Sequence, residues 1–114
     1  MSLPRGAVVL VAYPNSDLRT FKKRPALVVQ GEHVVTGLAQ TVLVLITSNL
    51  NRTGPTRVAV LRNSEAGSRM KLLVDSVIVC DALQTVSTDA IVRTIGTCMV
   101  MNEVDSALRT TLSL

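Results

Sequence analysis

The 114-residue chain contains few aromatic side chains, one histidine, two cysteines and no tryptophan. Tyr13 and Phe21 are its only aromatic residues, which argues against a platform on which nucleic-acid bases stack. With a lone His33 and no Cys-x-x-Cys pair, the sequence offers no ligand set for zinc, so we expect neither a metal nor a cofactor. Cys80 and Cys98 lie in apolar, strand-like surroundings, which favours buried free thiols over a disulfide.

Long hydrophobic segments are also missing. The longest apolar run, residues 42–46, is far shorter than a membrane span. Pro4 and Arg5 interrupt the start of the chain, where a secretory signal would need a continuous apolar stretch. We therefore expect a cytoplasmic protein without a membrane segment.

Charge is distributed unevenly along the chain. Residues 1–71 contain ten Lys or Arg and three acidic residues, a net charge of +7. Residues 72–114 contain two Lys or Arg and five acidic residues, a net charge of −3. This asymmetry favours a cationic face for a polyanion, with nucleic acid as the first candidate and an anionic membrane surface as the second.

Valine-rich segments are the main positive feature, and the chain length suits one domain, residues 1–114. The segments predict a mainly β fold with a small, curled and mostly antiparallel sheet. Several of them are continuously apolar, which indicates strands covered on both faces by a barrel interior, a helix or a partner chain. The predicted strands are residues 7–12, 25–30, 41–47, 57–61, 76–80 and 91–97.

The end of the chain has helical periodicity. Apolar residues recur there at spacings of three and four, which predicts an amphipathic C-terminal helix: Met101, Val104, Leu108 and Leu112. Asn102 is the predicted N-cap, with Asp105 in the capping-box position. Between the strands, residues 13–24 and 62–73 are longer than hairpin turns require, and such loops tend to carry function.

A basic cluster joins an apolar strand within residues 22–29. Pro25 restricts the backbone of Arg24 to extended geometry, and a guanidinium held in this way can bind a phosphate through two hydrogen bonds. Thr47 and Ser48 end the most apolar strand and would add two hydroxyl donors if they share a sheet rim with Arg24. The alternatives are a solvated guard of a sheet edge and ordinary turn residues.

The sequence lacks the motifs of most hydrolases. It has no G-x-S-x-G element, no Gly-rich phosphate loop and no convincing Ser-His-Asp set. Cleavage of RNA needs none of these, because the ribose 2′-hydroxyl is the nucleophile and an enzyme need only orient it and stabilise the phosphorane. Arginine and threonine can do this work, but neither is a good general base, and the sequence does not identify one.

Taken in order, the sequence pieces resemble the PemK/MazF family of toxins from bacterial toxin–antitoxin pairs, over about residues 5–114. The pieces are Arg5-Gly6, the segment 23–29 (KRPALVV), the segment 46–50 (ITSNL), Asp75-Ser76-Val77, Thr85-Val86, Ile95-Gly96 and the segment 104–109 (VDSALR). The resemblance depends on their order and spacing rather than on any one piece.

This resemblance implies a small SH3-like β-barrel with a C-terminal helix, a homodimer, and metal-independent, sequence-selective cleavage of single-stranded RNA. Arg24 and Thr47 fall on the family's catalytic arginine and threonine. We expect Lys23, Ser48 and Asn49, together with Asn15 and Ser16, to contact the RNA. A cognate antitoxin is also implied, with a disordered acidic C-terminal segment that covers the basic groove.

The chain departs from the family pattern at residues 81–85, which read DALQT where the family often reads EQIRT. Base recognition is therefore expected to differ. Two alternatives to an active nuclease stay open at this stage: a non-enzymatic gyrase poison of the CcdB kind, and a cleavage-deficient homologue that binds nucleic acid or antitoxin.

Overall fold

A computed structural model describes residues 3–14 and 17–114. In those residues, six strands and two α-helices follow one another, with one turn of 3₁₀ helix at Thr88–Ala90. The strands are β1 Ala7–Pro14, β2 Phe21–Val28, β3 Gln40–Thr47, β4 Arg57–Val60, β5 Ser76–Ser87 and β6 Ile91–Thr97. The helices are α1 Glu65–Arg69 and α2 Met101–Leu112.

All six strands form one sheet in the order β4-β5-β3-β2-β1-β6, with antiparallel neighbours throughout. The predicted mainly β fold with a C-terminal helix is confirmed. The expectation of a barrel needs correction, because β4 and β6 form the two edges and the sheet does not close. A register shift between Val44 and Leu45 in the β3–β5 ladder leaves residues 80–82 of β5 outside the regular pairing.

Each face of the sheet carries a buried apolar cluster, as the continuous apolar strands predicted. One cluster packs beneath α2 and includes Leu27, Val44, Ile78, Val104 and Ala107. The cluster on the opposite face is smaller and consists of Ala7, Val9, Val11, Ala26, Val28 and Leu43. Both thiols, those of Cys80 and Cys98, are buried and free, as expected.

The β1–β2 hairpin is longer than predicted. Residues 13–24 were expected to form a loop, but β1 extends to Pro14 and β2 begins at Phe21, with Pro14 opposite Phe21. The basic cluster therefore lies within a strand. Cross-strand pairing with β1 explains the difference, since it satisfies backbone groups that the local sequence does not reveal. Pairing of β2 with β3 begins only at Ala26, directly after Pro25, which has no N–H group to donate.

Helix α2 starts differently from the prediction. Its N-cap is Val100, which makes no side-chain capping bond, so the assignment of Asn102 as N-cap is wrong. Asp105 instead accepts a hydrogen bond of 2.6 Å from the guanidinium of Arg5. The same guanidinium donates a hydrogen bond of 2.9 Å through Nε to the carbonyl of Val29. Arg5 therefore links Asp105 of α2 to the residue that follows β2.

The predicted loop 62–73 contains the short helix α1. Ser64 caps it, and its hydroxyl accepts a hydrogen bond of 3.0 Å from the backbone N–H of Gly67. Across the described ranges 3–14 and 17–114, no helix has both the length and the apolar character needed to cross a membrane.

Candidate functional site

The sheet register brings Arg24 and Thr47 together. Ala26 of β2 lies opposite Leu45 of β3. Arg24 precedes Ala26 by two residues and Thr47 follows Leu45 by two, so both lie just beyond the last β2–β3 pair, at the same end of neighbouring strands. Because side chains alternate along a strand, both residues also share the face of Ala26 and Leu45. We call this surface the Arg24–Thr47 face.

The hydroxyl of Thr47 has a fixed role within the protein. It accepts a hydrogen bond of 3.1 Å from the backbone N–H of Asn49, and the residue is half-buried. A hydroxyl that already accepts from the backbone still has its own hydrogen to donate. Thr47 can therefore donate a hydrogen bond outward from a rigid position.

Arg24 is exposed and has no acidic partner among the described residues. The ion pairs among the described residues are Arg5–Asp105, Arg57–Asp81 and Glu65–Arg69, and none includes a residue of β2. An unpaired guanidinium keeps all of its donors for an incoming anion. Arg24 thus has the freedom and the charge to bind a phosphate.

The lysines next to Arg24 lie on different faces. Lys22 is two residues away and shares the Arg24–Thr47 face, opposite Tyr13 of β1. Lys23 lies opposite Ala12 and occupies the other face of the strand. Lys23 stays a predicted RNA contact, and the register adds Lys22 as the lysine that shares a face with Arg24, which a run of three cations does not reveal.

The β3–β4 connection supplies the other predicted residues. Ser48 is exposed and lines an open pocket together with Leu50, Arg62, Asn63, Leu73, Val74 and Asp75. Asn49 is also exposed, and its side-chain oxygen accepts a hydrogen bond of 3.1 Å from the N–H of Asn51, so it shapes its own turn. Asn15 and Ser16 lie outside the described residues.

Tyr13 is a residue of this site that the sequence placed only in a loop. It lies in β1, opposite Lys22, and the next pair on the same face is Val11 with Arg24. Burial raises the pKa of the Tyr13 hydroxyl, and the nearby positive charge of Arg24 opposes this effect. Its membership in an alternating apolar set with Val9 and Val11 is the signal that could have placed it on this face.

A second charged group lies on β4 and β5. Arg57 forms an ion pair of 2.9 Å with Asp81, whose carboxylate also accepts a hydrogen bond of 3.0 Å from the hydroxyl of Thr56. This guanidinium is therefore partly neutralised, in contrast to that of Arg24. Within the part of the chain that the structure describes, no three His, Cys, Asp or Glu side chains are grouped so that they could hold a metal ion.

Comparison with solved structures identifies close similarity over nearly the whole chain. An endoribonuclease from a mycobacterial species, solved in complex with its cognate antitoxin, superposes with a TM-score of 0.74 at 25% identity, over 99% of this chain and 97% of that chain. Another mycobacterial endoribonuclease gives a TM-score of 0.71 at 27% identity, over 100% of this chain and 94% of that chain.

A solved structure of lower sequence identity shares the fold. The chain is similar to a MazE-MazF structure from Deinococcus radiodurans with a TM-score of 0.73 at 18% identity, over 100% of this chain and 99% of that chain. A search of curated protein sequences finds no match.

The sequence profile of the PemK-like, MazF-like toxins of type II toxin–antitoxin systems matches residues 4–112. That match covers both strands of the Arg24–Thr47 face and helix α2. The chain therefore belongs to the PemK-like, MazF-like toxin family.

Proposed function

We propose that this protein is a metal-independent endoribonuclease that cleaves single-stranded RNA at selected sequences. The observation that carries the proposal is the position of Arg24 and Thr47 on one face, at the same end of neighbouring strands. Similarity to two endoribonucleases, at 25% and 27% identity over nearly the whole chain, supports the same reaction class.

In the proposed reaction, the ribose 2′-hydroxyl attacks the adjacent phosphorus and loses its proton to water, while the bond to the 5′-oxygen breaks and that oxygen takes up a proton from water. The exposed guanidinium of Arg24 neutralises the charge that develops on the nonbridging oxygens. Thr47 donates its hydroxyl hydrogen to the same phosphate, because its oxygen is already held by the N–H of Asn49. Positioning and electrostatic stabilisation of this kind supply much of the acceleration in many enzymes.

The residues around this pair extend the proposed RNA surface. Ser48 and Asn49 follow Thr47 directly and are exposed, so they can contact the RNA backbone. Lys22 adds positive charge on the same face. Lys23 lies on the opposite face of β2. It would contact the RNA only if the RNA extends around the edge of the sheet to that face.

The test is cleavage of a long single-stranded RNA by the purified protein in the presence of EDTA. We expect Arg24→Ala to reduce the cleavage rate by at least about 100-fold. Since Arg24 is exposed and unpaired, the free energy of unfolding should change by less than about 0.5 kcal/mol. Lys23→Ala is the matched control, because it removes a neighbouring charge from the opposite face and should retain most activity.

Mapped fragment ends distinguish the mechanism. Attack by the 2′-hydroxyl leaves a 2′,3′-cyclic phosphate and a 5′-hydroxyl, and a recurring sequence at the cut would give the specificity. Cleavage by Arg24→Ala at the wild-type rate would contradict the assigned role. Intact RNA with the wild-type protein would refute the nuclease, and a gyrase supercoiling assay would then separate a gyrase poison from a cleavage-deficient binder.

We also propose an antitoxin partner and a homodimer. A mycobacterial relative was solved with its cognate antitoxin, and the unpaired cations of β2 suit an acidic segment. Leu50, Leu73 and Val74 line one pocket while at least half exposed, which leaves apolar surface for a second copy of the chain. Sedimentation at micromolar concentration should give a dimer, and a monomer would exclude this assembly.

A further inference from the structure

The hydroxyl of Tyr13 is buried and has no hydrogen-bond partner among the described residues. Most buried polar atoms in proteins are paired, and an unpaired one calls for a specific reason. A polar atom kept unpaired beside a candidate active site can serve a ligand that arrives later. This hydroxyl is therefore the feature of the site that the proposed roles of Arg24 and Thr47 leave unexplained.

The β1–β2 register places Tyr13 beside Arg24. Tyr13 pairs with Lys22 and Val11 pairs with Arg24, so Tyr13 and Arg24 are diagonal neighbours on one face. Diagonal neighbours in an antiparallel ladder are about 7–8 Å apart at the backbone, within reach of long side chains. Arg24 also influences the ionisation of the phenol electrostatically, which agrees with this placement.

The phenol is a hydrogen-bond donor at neutral pH. Its pKa lies above the ordinary value because burial disfavours the phenolate. A neutral phenol can donate to a phosphate oxygen, whereas a phenolate would repel it. A tyrosine with its ordinary pKa of about 10 is already neutral at pH 7, and burial extends this neutral range of Tyr13 to higher pH.

We propose that the Tyr13 hydroxyl donates a hydrogen bond to a nonbridging oxygen of the RNA phosphate that Arg24 binds, which adds a third donor to the site. The inference rests on the proposed nuclease function. No proton is transferred in this role. The hydroxyl has almost no accessible area in the free protein, so the side chains that cover it must move when RNA binds. Arg24, the diagonal neighbour of Tyr13, is exposed and outside every ion pair that the structure gives, so its side chain can rearrange when a phosphate binds.

The decisive variant is Tyr13→Phe, which removes only the oxygen. We expect the second-order rate of cleavage to fall by about 100-fold, the effect of losing one well-placed donor. Thermal stability should stay equal or rise, because the lost hydroxyl was buried without a partner. A residue with a purely structural role would show the opposite pattern, with loss of stability and little change in rate.

A second readout uses the fact that Tyr13 is the only tyrosine and that the chain has no tryptophan. Replacing tyrosine globally with a fluorinated tyrosine changes this residue alone and lowers the pKa of its phenol. Cleavage should then be restored relative to Tyr13→Phe and should decline with pH at a lower pH than in the unlabelled protein. Ultraviolet titration of the tyrosinate locates each pKa directly.

The outcomes separate this inference from the function on which it rests. Wild-type cleavage by Tyr13→Phe, measured beside an inactive Arg24→Ala, would overturn the role of Tyr13 and leave the nuclease intact. A large loss of stability in Tyr13→Phe, or an unchanged pH profile with fluorinated tyrosine, would also overturn it. Failure of the wild-type protein to cleave RNA would overturn both proposals.

Discussion

Gly96 of β6 allows an unusually close approach between the sheet and α1, and Gly96→Ala tests that contact. A Cβ atom at this position would lie 2.5 Å from the carbonyl oxygen of Arg69 and 2.8 Å from the carbonyl carbon of Met70. Ordinary Cβ contacts are 3.4–4 Å, so the backbone would have to retreat by about 1 Å. Because the obstacle is main chain, a change of side-chain rotamer cannot relieve it.

The cost follows from what such a retreat would disturb. Met70 is fully buried in the larger apolar cluster, so moving its backbone both overpacks one side and opens a gap on the other. Overpacking alone typically costs 1–3 kcal/mol, and we estimate about 3 kcal/mol for the two effects together. For a chain of this length the entropy of unfolding is about 0.24 kcal/mol per kelvin, so Tm should fall by about 12 °C.

Differential scanning calorimetry of wild-type protein, Gly96→Ala and Gly31→Ala measures this directly. A Cβ at Gly31 would meet only a side-chain methyl of Val34, at 3.3 Å, so that control should lose at most about 0.5 kcal/mol. A Tm for Gly96→Ala within about 2 °C of wild type would refute the close-approach argument.

Two further predictions concern the links between elements and the buried thiols. Arg5→Met should destabilise the protein by about 1–2 kcal/mol in urea titrations, because it removes bonds to Asp105 and Val29. Adding Asp105→Asn to Arg5→Met should lower the free energy of unfolding only slightly further. If the losses of the two single variants add in full, the two residues are not coupled. Burial raises the pKa of Cys80 to about 11, so the stability that the neutral thiol contributes is complete below about pH 9 and is lost as the pH rises toward 11. Cys80→Ala should show a smaller loss of unfolding free energy between about pH 8 and about pH 10.5 than wild type, and equal losses would contradict this.

Local patterns were sufficient for much of the fold. Val-rich segments located part of every strand, and the spacing of Met101, Val104 and Leu108 located the packed side of α2, because these signals depend only on neighbouring residues. The start of β2 was missed because its charged residues extend a hairpin through pairing with β1. The N-cap was missed because Asp105 is held by Arg5, which is distant in sequence.

The candidate site was predictable only in part, because residue types can be read from the sequence but their neighbours in the sheet cannot. Arg24 and Thr47 were selected from the sequence as residues, but their shared face depends on the β2–β3 register. The β1–β2 register also places Lys22, and not Lys23, on the same face of the sheet as Arg24. A register shift of one residue would move each of these side chains to the other face. The unpaired hydroxyl of Tyr13 depends on three-dimensional burial and has no sequence signature.

Because the sheet does not close, β4 and β6 each have one side without a partner strand, and sheet edges of this kind can pair with another chain and promote aggregation. β4 limits this hazard by its length of four residues. β6 is longer, at seven residues, and carries Arg93 between Val92 and Thr94, all three exposed. A charge in the middle of an edge strand disfavours edge-to-edge pairing with a second molecule, so we expect Arg93 to help keep the protein soluble.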